Sequence, residues 1–119
     1  MPPEVMQLGA VYPQIELHGD PESVRNIGLA VESLGYDYLL TYDHVLGATH
    51  DREPKLTGPY TERDPFHDPL MMFAHLAALT HRIVLVTGIL FLPQRQTGLV
   101  ALQAVDLARR GDAAIEAGL

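Results

Sequence analysis

The chain has 119 residues, of which 47% are hydrophobic and 19% charged, the balance of one folded domain and not of a disordered tail. It contains no Cys, which excludes a disulfide framework, a thiolate zinc site and a cysteine nucleophile, and which fits a reducing cytoplasm. Eight Lys and Arg against 15 Asp and Glu give a net charge of -7, which argues against nucleic acid as a partner. Met1-Pro2-Pro3-Glu4 shows no basic region leading into an apolar stretch, and the longest apolar run, near residues 83–93, is too short to span a bilayer. No export signal and no membrane span are expected.

Residues 4–11 carry Val5, Met6, Leu8, Ala10 and Val11 before the stop at Tyr12-Pro13, which predicts a short, mostly buried first strand. Asp20-Pro21-Glu22 is a helix start: Asp20 caps free backbone N–H groups, Pro21 suits the first helical position and Glu22 favours the positive end of the dipole. Val24, Ile27, Val31 and Leu34 then form one apolar stripe, and Gly35 stops the helix. Tyr38-Leu39-Leu40-Thr41 is too brief for a helix and reads as a second strand.

Residues 42–67 hold Pro54, Gly58, Pro59 and Pro65 among polar residues and are expected to form a long loop, a feature that is usually functional or mobile. Asp68-Pro69 repeats the capping pair, and Leu70, Met71, Phe73, Leu76, Ala77 and Leu79 predict an apolar helix ending near Thr80. Residues 83–90 form the strongest strand, interrupted by Gly88. A third helix is expected from Thr97 to Arg109, with Leu99, Leu102, Val105 and Ala108 on its buried side. Strand, helix, strand, loop, helix, strand, helix is the order of a parallel sheet with crossover helices, an α/β fold. A closed eight-stranded barrel takes about 250 residues, so three strands make either a small open sheet or part of something larger.

The runs Leu34-Gly35-Tyr36-Asp37, Tyr42-Asp43-His44-Val45-Leu46-Gly47, Thr57-Gly58-Pro59-Tyr60, Asp64-Pro65-Phe66-His67-Asp68-Pro69 and residues 87–97, in that order, resemble the N-terminal part of luciferase-like flavin-dependent oxidoreductases. The likeness is closest to the deazaflavin branch, which uses coenzyme F-420. It covers residues 5–107, and five weak runs in register make a specific signal. The resemblance implies a partial (β/α)8 barrel of about three βα units with a long inserted loop, and its site at the C-terminal ends of the strands. It divides the chain into residues 1–108, the N-terminal half of a barrel, and a divergent tail, 109–119. In the family the third helix leads into a Ser-Gly-Gly-Arg turn and a fourth strand, and residues 109–119 read as neither. A frameshift, a premature stop or a truncated gene boundary would account for the change.

Asp43 and His44 follow the second strand, where a barrel places catalytic side chains. An imidazole there can hydrogen-bond a cofactor ring, with Asp43 fixing its tautomer, or the pair is only a polar loop start. The resemblance carries cofactor contact onto both residues, and onto Thr87, Gly88 and Ile89, with a non-proline cis peptide at Gly88–Ile89 backing the ring. Arg95, before the third helix, either contacts a phosphate or faces solvent or makes a structural salt bridge; the last two are favoured, since the family's main phosphate site lies in the second half of the barrel. The six His show no i, i+4 ligand pair and no His-x-His after the first strand, so no metal is expected. His75 and His81 read as structural, and Met71-Met72-Phe73 as core.

The implied activity is that of a luciferase-like oxidoreductase or monooxygenase transferring hydride between coenzyme F-420, with FMN ranked second, and a small organic substrate. The rival is a non-catalytic barrel fragment whose open strand edges and apolar faces, Val84, Val86 and Leu90 among them, drive self-association. A homo-oligomer or a missing C-terminal half is accordingly the expected partner.

Overall fold

The computed structural model describes residues 4–109, and the backbone alone of Arg110 and of residues 115–118. Strands β1 (Gly9–Val11), β2 (Tyr38–Thr41), β3 (Val84–Gly88) and β4 (Ile115–Gly118) form one sheet in the order β1-β2-β3-β4. Every neighbouring pair is parallel. Helices α1 (Pro21–Ser33), α2 (Pro69–Ala77) and α3 (Thr97–Arg110) are the crossovers. A strand order that never reverses, with crossovers of one hand, puts all helices on one face of the sheet, as in a barrel wall and unlike a doubly wound sheet.

Burial follows that geometry. Leu39, Thr41, Leu85 and Thr87 are buried on the helix side, while Tyr38, Leu40, Val84 and Val86, which alternate with them, are half-buried on the open side. The core lies under the helices and includes Val24, Val31, Leu70, Phe73, Leu76 and Leu107. Gly28 is where α1 meets α2: a Cβ there would stand 2.3 Å from Cδ2 of Leu76, so only glycine permits this approach.

Both predicted caps form. The Asp20 side chain accepts from the Glu22 N–H (3.1 Å) and the Ser23 hydroxyl (2.8 Å), and Asp68 accepts from the Met71 N–H (3.0 Å). The first strand is shorter than expected, because it is an edge that pairs only with β2, and beyond Leu8, held by two hydrogen bonds to Asp37, no strand accompanies Val5 and Met6. Leu34 caps α1 and is exposed instead of extending its stripe.

On α3 the expected buried stripe is the exposed one. Val100 and Leu107 are buried, whereas Leu99, Leu102, Val105 and Ala108 face outward. The helix is apolar on two sides, and α2 covers only the side carrying Gln103 and Leu107. Leu90, expected on the open face, is buried in the core, because the strand alternation ends at Gly88.

The reading of residues 109–119 as strandless is also corrected. The backbone of β4 pairs with β3 from Leu85↔Ile115 to Gly88↔Gly118, since a free parallel edge can be satisfied by any extended backbone, whatever its side chains. Residues 111–114 and 119 of the expected tail lie outside the described residues. No helix among the described residues is long and apolar enough to cross a membrane.

One carboxylate joins α1 to β3. Glu32 accepts the backbone N–H groups of His81 (2.9 Å), Arg82 (2.8 Å) and Ile83 (2.9 Å), which lead into the strand. Burial alone would raise its pKa, but these donors outweigh it and hold the carboxyl below its ordinary 4.5. The stabilisation is therefore complete above the unfolded pKa and is lost as pH falls through the lower folded one. Glu32→Gln should lower stability at neutral pH by about 1–2 kcal/mol. In urea unfolding the gap between the two proteins should close as the pH is taken below the carboxylate range.

Candidate active site

The C-terminal ends of β2 and β3 open into a cleft of about 560 Å³. Tyr42, Asp43 and His44 follow β2, Gly88 ends β3, and Ile89 and Phe91 follow it. The long loop supplies the facing wall with Leu46, Leu56, Pro59 and Tyr60. Four of the five residues singled out in the sequence thus meet in one cavity. Thr87 does not: it is buried beside Thr41 in the register of the sheet, on the helix side, and lines no part of the cleft.

Asp43 holds the scaffold together and does not orient the imidazole. Its Oδ2 accepts from the Phe91 N–H (2.8 Å) and from Nε of Arg95 (3.0 Å), and its Oδ1 accepts from Nη2 of Arg95 (2.6 Å). The same Nη2 lies 2.8 Å from Oδ2 of Asp68, the cap of α2. Arg95 thus makes the structural salt bridge, not a phosphate contact. The hydrogen bonds to Asp43, followed by those to Asp68, push its pKa up against the opposing effect of burial, so it stays charged.

His44 is held by rings. Its imidazole lies 6.1 Å from Tyr60 and 5.0 Å from Phe66, and those two rings are 5.0 Å apart, edge to face. Its Nε2 is buried without a hydrogen-bond partner. The Tyr12 hydroxyl and His67 Nε2, which lie outside the cleft lining, are buried without a partner as well.

The expected cis bond at Gly88–Ile89 is not found: the cis peptide among the described residues joins Glu53 and Pro54. Strain sits instead in the φ of Ile89, +109°, a region costly for a β-branched residue. Gly88 leaves room at that turn for Leu40 and Tyr42, since a Cβ would come within 2.6 Å of Leu40 Cδ2 and 3.2 Å of Tyr42 Cδ1 and the Leu40 side chain would have to shift.

Two contributors were not singled out in the sequence. Gln14 is buried, and its Nε2 donates to Oγ1 of Thr41 (2.9 Å), the Tyr42 carbonyl (3.1 Å) and the His67 carbonyl (3.0 Å), while its Oε1 accepts the His67 N–H (2.9 Å). Gln94 accepts the Leu46 N–H at 3.1 Å. No local pattern announces either residue, because every partner is 27 or more positions away.

Residues 4–111 match the family described as luciferase-like monooxygenase. The chain belongs to that family. The luciferase-like chain is also similar in fold to the FMN complex of the oxygenating constituent of 3,6-diketocamphane monooxygenase, a type II Baeyer-Villiger monooxygenase from the CAM plasmid of Pseudomonas putida. The TM-score is 0.67 at 16% identity, over 97% of this chain and 30% of that one. The luciferase-like chain therefore spans less than a third of that structure, a partial barrel. Comparison with curated proteins gives no significant match.

The cleft can be tested against a flavin-type ring. A cleft beside Gly88, with largely apolar walls and an imidazole at its edge, is compatible with such a ring. Its phosphate has no counterpart here, as the described lining contains no Lys or Arg. Arg95→Ala should leave Asp43, whose side chain is 1% exposed, as a buried unpaired charge, costing about 3–5 kcal/mol in urea unfolding. Asp68→Asn, at a side chain 39% exposed, should cost much less.

Proposed function

We propose that the chain forms one wall of the reaction site of a flavin-type oxidoreductase of the monooxygenase kind. The unpartnered, buried Nε2 of His44 at the junction of β2, β3 and the loop carries this reading. When bound, the cofactor would supply the two-electron chemistry, with hydride passing between its ring and an organic substrate. The sequence runs around Asp43-His44 and Thr87-Gly88-Ile89 favour coenzyme F-420, whereas the structural neighbour contains FMN. Both offer the same type of tricyclic face to the cleft.

The chain's own groups have distinct tasks. His44 Nε2 hydrogen-bonds the bound group and is placed to hold a proton there. The strained backbone at Ile89, beside Gly88, backs the ring. Tyr60 and Phe66 keep water from the imidazole. Asp43 positions the Ile89–Phe91 turn through the Phe91 N–H, a positioning role and not a catalytic one.

Titration of the purified chain with F-420 and with FMN, followed by quenching of their fluorescence, tests the reading. Binding should be weak, since no Lys or Arg among the described residues lines the cleft for the phosphate, and His44→Ala should weaken it about tenfold with the circular dichroism unchanged. Submicromolar binding, or equal affinity in the variant, would remove the half-site argument or His44 from it.

A second reading, self-association through the open sheet face, is favoured by exposed Val11 beside half-buried Leu40, Val84 and Val86. Sedimentation at tens of micromolar should then show dimers or larger species, and Val86→Lys, at the centre of that face, should shift them toward monomer. A wild-type chain that sediments as a monomer would exclude it.

A further inference from the structure

We propose that Glu62 is a positioning residue of this site: its carboxylate closes the long loop at a neck between residues 47–50 and 61–62, and so holds Tyr60 against His44 and fixes the wall that faces the strand ends. The inference rests on the reading of the cleft as the reaction site and adds the group that sets where its loop wall stands.

The neck is built from both ends of the loop. Gly47 lies on the backbone of Thr61 and Glu62, where a Cβ would come within 2.6 Å of main-chain atoms, so the two segments cross at a distance that needs glycine. There the Glu62 N–H donates to the Ala48 carbonyl (3.1 Å). The Glu62 side chain then reaches back along the loop: Oε2 accepts the His50 N–H (2.7 Å), and Oε1 lies 2.5 Å from Nδ1 of His50. Asp64 prepares the carboxylate for this, since its Oδ2 accepts the Thr61 N–H (2.7 Å) and turns the chain at Glu62. The His50 ring, against the opposing effect of desolvation, holds the Glu62 carboxyl below its ordinary 4.5, so both oxygens are acceptors at neutral pH.

Beyond the neck the loop is held by packing. Among the described residues, the hydrogen bond that leaves residues 51–60 runs from the Arg52 N–H to the Thr49 carbonyl (3.3 Å), inside the same loop. In that stretch Leu56 and Tyr60 are half-buried and the rest is exposed. Those two residues face the cleft, and the Tyr60 ring stands 6.1 Å from the His44 imidazole and 5.0 Å from Phe66. Tyr60 is two residues from Glu62, so freedom at the neck passes directly to its ring. The side chains of Glu62 and His50 are each 36% exposed, which makes their pair a small contributor to overall stability. Its loss should therefore act on the wall and leave the sheet as it is.

The whole chain, isotope-labelled, is compared with Glu62→Ala and Glu62→Gln. Glu62→Ala should lose the nuclear Overhauser cross-peaks between the His44 and Tyr60 rings and raise the exchange rate of the His50 amide about tenfold, with the amides of β2 and β3 unchanged. Glu62→Gln keeps an acceptor oxygen for the His50 N–H and should restore the ring contact. FMN affinity, followed by fluorescence quenching, should fall at least about threefold in Glu62→Ala and return in Glu62→Gln. Ring cross-peaks that are absent from the unaltered chain, retained in Glu62→Ala, lost equally in Glu62→Gln, or lost only together with the protection of the strand amides would overturn the proposal. An FMN affinity unchanged after the ring contact is lost would overturn it too. If the unaltered chain binds neither FMN nor F-420, the flavin reading alone falls, and the ring cross-peaks decide this one.

Discussion

Everything at the C-terminal end of the sheet depends on one guanidinium. Arg95 follows the turn after β3, yet its hydrogen bonds run to Asp43 after β2 and to Asp68 at the start of α2. Three segments far apart in the chain are thereby fixed to one point. A buried ion pair of this kind adds little stability compared with well-packed apolar residues, because both charges lose their water. What it supplies here is position: the fork of the guanidinium accepts few geometries, and Asp43 transmits that constraint to the Phe91 N–H and so to the turn containing Ile89.

Gln14 repeats the principle without charge. Its amide satisfies the C-terminal end of β2 and His67, which precedes the Asp68 cap of α2, from the side of β1, so β1, β2 and the start of α2 also converge on one buried group. The strand ends are held from the helix side by these polar hubs, and the opposite side of the sheet stays open. That asymmetry is what a barrel wall requires, since the interior must accept either other strands or a ligand.

The parts legible in the sequence are those set by contacts close along the chain. Asp20-Pro21 and Asp68-Pro69 cap where they stand, and Tyr38–Thr41 is a strand because four residues alternate between a buried and a half-buried face. What depends on a neighbour was hidden. The sequence does not mark the buried side of α3, because both candidate stripes are apolar and only the packing against α2 chooses between them. Family likeness places Thr87 at the cofactor, but strand periodicity points it away from the cleft, as alternate positions counted from Leu85 show. In the same way Asp43 and His44 are adjacent in sequence and part company in the structure, one turned to Arg95 and the other to Tyr60 and Phe66.

That separation has a consequence for how the site can vary. The loop of residues 42–67 is anchored at Leu46 through Gln94, closed on itself where Glu62 accepts the His50 N–H (2.7 Å), and tied down again at His67 through Gln14. Between those anchors, Leu56, Pro59 and Tyr60 face the cleft without bonding to the sheet through any polar side chain, so their size can change while the strand ends stay in place. The hydrogen-bonding group, by contrast, sits directly on the end of β2, where the Arg95 pair holds the backbone beside it. In the proposed site a fixed imidazole on the scaffold and an adjustable apolar wall on the loop would divide the work of recognition, so substitutions in the loop should alter which shapes are admitted before they alter which polar group is required.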